Sequence, residues 1–345
     1  MRKSLIIAAA FCAIAGSAVA ETPMRWLSQS APVSSQYPIE TAAMKRLDGD
    51  GVGLKVDRQE YMTLGLNLAD ALRLVRGGSY DIVSAQVGLA SRDDPFLEGI
   101  DLIGVSTDMD ELEAAVKAYR PLFDKRIEER FGAKVLAVWP FGTQVFFCNQ
   151  PIKTLADLKG LRVRSFTPSM SKLMEQLGAT PVSIAFPEVY PSLQRGVANC
   201  GVTSPTSANT GRWPEVTTHM LPLSVSGSVQ AHLVNKAWFD KLTPAQQEAL
   251  VKEAKQMENE LWALARNTNI DATNCTVGKT PCADKPHGKY KLTLVEVAPA
   301  DLAKLRKISE EAVLTEWATR CERAYPDCKA AWNGSIGAVR GMKIP

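Results

Sequence analysis

The chain has 345 residues, of which 46% are hydrophobic and 22% charged, enough apolar material for two sizeable cores. Its formal net charge is +3, with no long block of like charge and no basic stripe interleaved with aromatics, which excludes a nucleic-acid surface held by a long-range field. There is no phosphate-binding glycine loop, no G-x-S-x-G and no H-E-x-x-H, and the three histidines stand at no ligand spacing to the cysteines, so no cofactor and no metal are expected.

The chain opens with Met1, Arg2 and Lys3, an apolar run from Leu5 to Ala15, and an A-x-A-like end at Ala20. That is the pattern of a secretory signal peptide, with cleavage expected after Ala20. The alternative, a membrane anchor, needs a longer apolar run. Export places the protein in the periplasm and brings the net charge to +1 by removing Arg2 and Lys3. It also removes Cys12 from the seven cysteines, leaving six, an even number. Six residues lie between Cys275 and Cys282, and six between Cys321 and Cys328, and each pair is expected to form a local disulfide contributing roughly 2–3 kcal/mol.

Met24 to Ser28 reads as a first strand, followed by a polar loop from Gln29 to Tyr37 and a helix opened by Pro38. Gly51 to Val56 is the second strand. Asn67 caps a helix with Leu68, Ala71, Leu72 and Val75 on one face, and Tyr80 to Ala85 follows as a strand that ends on Gln86. Asp110 to Arg130 is helical, with a break expected at Pro121. Ala133 to Trp139 and Val145 to Cys148 are strands joined by a crossing at Pro140 to Gln144. Leu161 to Arg164, Val182 to Phe186 and Val197 to Pro205 then alternate with two helices, the first capped by Thr167 with Pro168 at its first position. Alternation of this kind builds a parallel sheet flanked by helices, whose ligands sit beyond the carboxyl ends of the strands. Arg164, Phe186, Thr203 and Ser204 fall there. Placing Cys148 and Cys200 on neighbouring strands makes them the third disulfide. Gln230 to Asn235 returns to the first sheet, and Thr243 with Gln246 forms a capping box for a helix running to about Asn269. Cys275 to Val297 reads as a disulfide-pinned hairpin, and Asp301 to Ala324 as the last helix.

Leu158 to Arg164 (LKGLRVR), Leu177 to Val182 (LGATPV), Phe186 to Tyr190 (FPEVY) and Leu193 to Val197 (LQRGV) together resemble the DctP-type periplasmic solute receptors of TRAP transporters. The resemblance implies an α/β, two-lobe periplasmic-binding-protein-like fold. Each lobe is then a mixed, mostly parallel sheet flanked by helices, with a long interdomain helix. The expected organisation is 1–20 signal peptide, 21–140 lobe I completed by about 230–255, and 141–229 lobe II completed by about 256–345. It further implies that Arg164 clamps a ligand carboxylate and that Phe186 packs against the ligand. Arginine suits the first task because its planar fork pairs bidentately with a carboxylate.

Two positions depart from the family pattern. Ser204 stands where the family more often has an asparagine that assists the carboxylate, and Gln144 stands where many members have a second arginine. Gln144 donates and accepts but carries no charge. The ligand expected is therefore a small organic acid with one carboxylate and a neutral or apolar remainder. Phe166 and Trp213, with Thr203, Gln86 and Tyr37, complete the expected ligand-binding set. The expected protein is a monomer and no enzyme, and it delivers its ligand to TRAP membrane permease subunits. The alternatives are a secreted enzyme acting on a small organic acid, or a receptor for an ABC importer or a sensor kinase.

Overall fold

The computed structural model describes residues 21–49, 51–283 and 287–345; the expected signal peptide lies outside them. Two sheets organise the chain. In lobe I, β1 (Thr22–Ser28), α1 (Tyr37–Gly49), β2 (Leu54–Glu60), α2 (Ala71–Arg76), β3 (Ile82–Gln86), α3 (Val87–Ala90), α4 (Met109–Phe131) and β4 (Ala133–Pro140) come first. Lobe II continues with β5 (Val145–Cys148), β6 (Arg162–Ser165), α5 (Pro168–Gln176), β7 (Thr180–Ser183), α6 (Phe186–Gln194), β8 (Cys200–Thr203), α7 (Pro205–Thr210) and β9 (His219–Leu221). The chain then returns as β10 (Val229–Asn235), α8 (Lys236–Phe239) and α9 (Pro244–Val277). It ends with β11 (Thr293–Leu294), α10 (Pro299–Ile308), α11 (Leu314–Glu322) and α12 (Cys328–Trp332).

The strand orders are β2-β1-β3-β10-β4 and β11-β9-β5-β8-β6-β7. Both sheets are mixed: β10 runs antiparallel to β3 and β4, and β5 antiparallel to β8 and β9, while the other pairs are parallel. Each sheet is buried on both faces, as the period-two alternation of strands requires. In lobe I, Leu27, Val83, Val138 and Leu233 face the core under α2 and α4. Their neighbours Trp26, Ile82, Ala137 and Val234 face the core under α1 and α9. In lobe II, Phe146 and Val202 face α5, and Val145 and Phe147 face α6.

Several elements differ from the sequence reading. Strand β2 begins at Leu54 rather than Gly51, because it pairs residue for residue with β1, from Thr22 against Leu54 to Ser28 against Glu60. Helix α4 runs unbroken through Pro121. That proline is exposed, and the buried stripe of Leu112, Val116, Tyr119, Phe123 and Ile127 outweighs its cost of about 3 kcal/mol. Helix α9 continues to Val277, 34 residues, or about 51 Å at 1.5 Å per residue. Its Leu250, Met257 and Leu261 pack on lobe I, and its Asn269 accepts the Thr206 hydroxyl of lobe II at 3.2 Å. Among the described residues no hairpin follows Cys275. Thr293–Leu294 adds parallel to β9 instead, and Cys275–Cys282 ties the last turn of α9 to the loop behind it. The last helix carries a π-turn, Ser309–Val313, between α10 and α11. Disulfides Cys148–Cys200 and Cys321–Cys328 are also present, the first joining directly opposed residues of β5 and β8. Among the described residues no helix is long and apolar enough to cross a membrane.

Candidate functional site

Arg164 lies on β6, opposite Gly201 of β8 and Val182 of β7, and only 5% of it is exposed. Its Nε donates to the Ile184 carbonyl at 3.0 Å and its Nη1 to the Val202 carbonyl at 2.9 Å. The guanidinium lies 4.7 Å from the Phe166 ring centre and 5.9 Å from that of Trp213. Among the described residues it makes no ion pair with a carboxylate. Burial alone pushes its pKa well down from the ordinary arginine range, to about 9, so at neutral pH the group is a cation taken out of water without a counter-charge. Arg162, two residues earlier, is exposed and spends its guanidinium on the Val197 and Gly196 carbonyls.

Trp213 reaches Arg164 because β8 carries a glycine beneath it. A Cβ on Gly201 would stand 2.6 Å from the indole. Phe186 stacks on Trp213, ring centres 5.5 Å apart. It does not end a strand, as the sequence reading has it; β7 stops at Ser183 and Phe186 starts α6, since Pro187 sits well in a first helical turn. Ser204 is fully buried and caps α7, accepting from the Ser207 amide at 3.1 Å. Its hydroxyl also donates to the Ser207 hydroxyl at 2.9 Å. Gln144 is buried and donates to the Gly142 carbonyl at 2.8 Å within its own turn. Thr203 is buried opposite Val145. The structure thus gathers Arg164, Phe166, Trp213 and Phe186 in one cluster.

On lobe I three neutral amides lie close together: Gln29 after β1, Gln86 at the end of β3, and Gln230 near the start of the antiparallel β10. Gln29 donates to Gln230 at 2.9 Å, Gln230 to the Ser228 carbonyl at 2.7 Å, and Gln86 to the Ser228 hydroxyl at 3.4 Å. Tyr37 is half-buried with the Arg58 guanidinium 4.6 Å above its ring. Arg58 is a second cation that the sequence reading missed, but Glu60 pairs with it and the Ser30 carbonyl accepts from it. Between the lobes lies a cavity of about 10 Å³, walled by Val87, Gly88, Asp101, Phe166, Thr167 and Ser228 among others, room for about one water.

A buried serine, histidine and glutamate also meet in lobe I. His232 Nε2 lies 2.8 Å from Ser84 Oγ and 3.0 Å from Glu40 Oε1, while the Trp139 indole donates to His232 Nδ1 at 3.1 Å. In a hydrolytic triad the acid holds the ring nitrogen that the nucleophile does not use. Here acid and hydroxyl share one nitrogen, an indole blocks the other, and all three side chains are at most 1% exposed. The cluster is a structural brace. Its signals in the sequence were a first-turn carboxylate on α1 and a histidine within the apolar strand Gln230 to Asn235.

Residues 64–282 match the family described as bacterial extracellular solute-binding protein, family 7. The 2,3-diketo-L-gulonate-binding periplasmic protein YiaO of Escherichia coli is 33% identical over 130 residues, an alignment spanning 37% of this chain and 40% of that protein. Among solved structures, DctP6 of Bordetella pertussis, an extracytoplasmic solute receptor binding pyroglutamic acid, is 21% identical with a TM-score of 0.79, covering 93% of this chain and 100% of that one. A marine metagenome TRAP solute-binding protein specific for aromatic acid ligands, in complex with metahydroxyphenylacetate, is 19% identical with a TM-score of 0.79, covering 93% and 99%. At these identities the two structures speak for the fold. The match of residues 64–282 covers more than half of the chain, and the chain belongs to the bacterial extracellular solute-binding proteins of family 7, the DctP-type receptors of TRAP transporters.

Proposed function

We propose that this protein captures a small organic acid carrying one carboxylate, in the cleft between its lobes in the periplasm, and delivers it as a monomer to a TRAP-type membrane permease. The observation that carries this reading is Arg164, a buried cation without an acidic partner among the described residues, lying against two aromatic rings. A carboxylate supplies the missing charge and a bidentate partner. Phe166, Trp213 and Phe186 favour an apolar or planar remainder. The amides of Gln29, Gln86 and Gln230 favour neutral hydrogen-bonding groups at its far end. Pyroglutamate and metahydroxyphenylacetate, the ligands of two structural relatives, both fit that description, one with a lactam and one with a phenol. The ligand enters as the lobes part and is enclosed as they close again about their connecting segments.

A thermal-shift screen of monocarboxylates, keto acids, aromatic acids and dicarboxylates tests the reading, because a ligand that binds only the folded state raises the melting temperature. Monocarboxylates should give the largest shifts. A screen in which neutral sugars or amines stabilise the protein and no carboxylate does would overturn it.

A further inference from the structure

Gly88 belongs to α3 and has ordinary helical backbone, so nothing in its conformation asks for glycine. Glycine is a poor choice in a helix. What its position excludes is a side chain. A Cβ at residue 88 would stand 2.4 Å from Thr167 Cγ2 of lobe II and 3.6 Å from Thr167 Cβ. Thr167 is held in place because its hydroxyl caps α5, accepting from the Met170 amide at 3.1 Å. Beside it, Glu98 of lobe I crosses to the same helix. Its carboxylate is 2% exposed, accepts from the Ser169 amide at 2.9 Å, and is held from behind by Arg320 at 2.7 Å. Favourable charge at a helix N-terminus makes this a directed contact.

We propose that Gly88 against Thr167 is the stop that sets how far the two lobes close, with Glu98 on the first turn of α5 as the latch that holds them there. This inference rests on the reading that the protein works by closing its lobes on a ligand. A residue at the stop controls affinity without touching the ligand, because the apparent affinity scales with the fraction of molecules able to reach the closed arrangement.

The test uses the mature protein and two probes, pyroglutamate and metahydroxyphenylacetate. G88A inserts a methyl into the stop, and G88A/T167S removes the colliding Cγ2 while keeping the capping hydroxyl. G88A should lose affinity by at least about tenfold and should scatter X-rays at small angles as a more open particle, with its melting temperature in the absence of probe no lower than that of the unsubstituted protein. G88A/T167S should recover both closure and affinity to within about threefold. Unchanged affinity and scattering in G88A, or no recovery in a folded G88A/T167S, overturns the proposal.

A second arm needs no ligand. The Cβ separation of 3.6 Å falls within the roughly 3.5–4.5 Å span of disulfides, so G88C/T167C treated with copper-phenanthroline should form an 88–167 crosslink, identified by peptide mass, and become more compact. Failure to form that crosslink in folded protein also overturns the proposal. A crosslink that forms while neither probe binds the unsubstituted protein would support the stop and count against the carboxylate reading, so the two failures are distinguishable.

Discussion

Replacing Arg164 with methionine keeps most of the stem and removes the charge. Its effects on binding and on stability should separate. In the ligand complex the guanidinium is expected to pair with a carboxylate, and truncating one partner of a buried charge pair costs about 2–5 kcal/mol, or roughly 30-fold to several-thousand-fold in affinity. Without ligand the terms oppose each other. Burial holds the pKa down at about 9, a depression that at about 1.4 kcal/mol per tenfold corresponds to about 5 kcal/mol of lost hydration that methionine does not incur. Against this, the Ile184 and Val202 carbonyls lose their donors at about 1–3 kcal/mol each. The two nearly offset, so R164M should change unfolding free energy by no more than about 2 kcal/mol while losing at least about 30-fold in affinity. R164K, which keeps a charge but not the fork, should fall between. Calorimetry with pyroglutamate and metahydroxyphenylacetate, beside urea unfolding of the same samples, measures both quantities. Unchanged affinity would refute the clamp. A loss of more than about 4 kcal/mol of stability would instead mark Arg164 as a brace of lobe II.

The Cys148–Cys200 bond closes a loop of 52 residues, so C148A/C200A should lose about 4 kcal/mol in urea unfolding, with the fold retained by circular dichroism; a change below about 1 kcal/mol would mean that the loop ends are already held together in the unfolded chain. Glu40 supplies a pH dependence. Burial pushes its carboxyl up, but the hydrogen bonds of His232 and Ser28 and the charge of Arg58 outweigh burial and hold it below the ordinary carboxylate range. Its ionised form therefore contributes stability that is present above the ordinary carboxylate pKa and is lost as pH falls through the lowered value. E40Q should cost about 3 kcal/mol at pH 7 and much less in acid strong enough to protonate Glu40, so unfolding curves at the two pH values should converge; a constant difference would locate the loss in packing instead of charge.

Elements whose pattern is local were legible in the sequence. Thr167 with Pro168, Thr243 with Gln246, and the alternating strands beside them each carry their own start signal, and the helices begin there. Elements decided by a partner elsewhere in the chain were not. The register of β2 is set by β1, the continuity of α4 by its buried stripe, and the fate of Thr293–Leu294 by the free edge of β9. The site divides the same way. Arg164 stands out through the motif around it, whereas Gly201 under Trp213 and Gly88 under Thr167 matter for what their missing side chains allow, and only contacts across 12 and 79 residues of sequence reveal that. Ser204 is local too. A hydroxyl followed by Pro205 is a helix cap by local chemistry, and it accepts from the Ser207 amide.

The two walls of the cleft have different charge, and this sets a selectivity. On the proposed reading Arg164 of lobe II meets the carboxylate, while lobe I offers the neutral amides of Gln29, Gln86 and Gln230, with Arg58 already paired to Glu60 and Asp101 in the wall of the small cavity between the lobes. A monocarboxylate places its charge on Arg164 and a neutral end among the amides. A dicarboxylate must bury its second charge there with hydrogen bonds but no counter-ion, and an unpaired buried carboxylate costs several kcal/mol. Malonate should therefore bind at least about 100-fold more weakly than pyroglutamate at neutral pH. The gap should narrow in Q86R or Q230R, where a second cation is supplied on lobe I. Competitive calorimetry decides this, and malonate binding as tightly as pyroglutamate would mean that lobe I holds a positive charge that the pairing of Arg58 with Glu60 does not cancel.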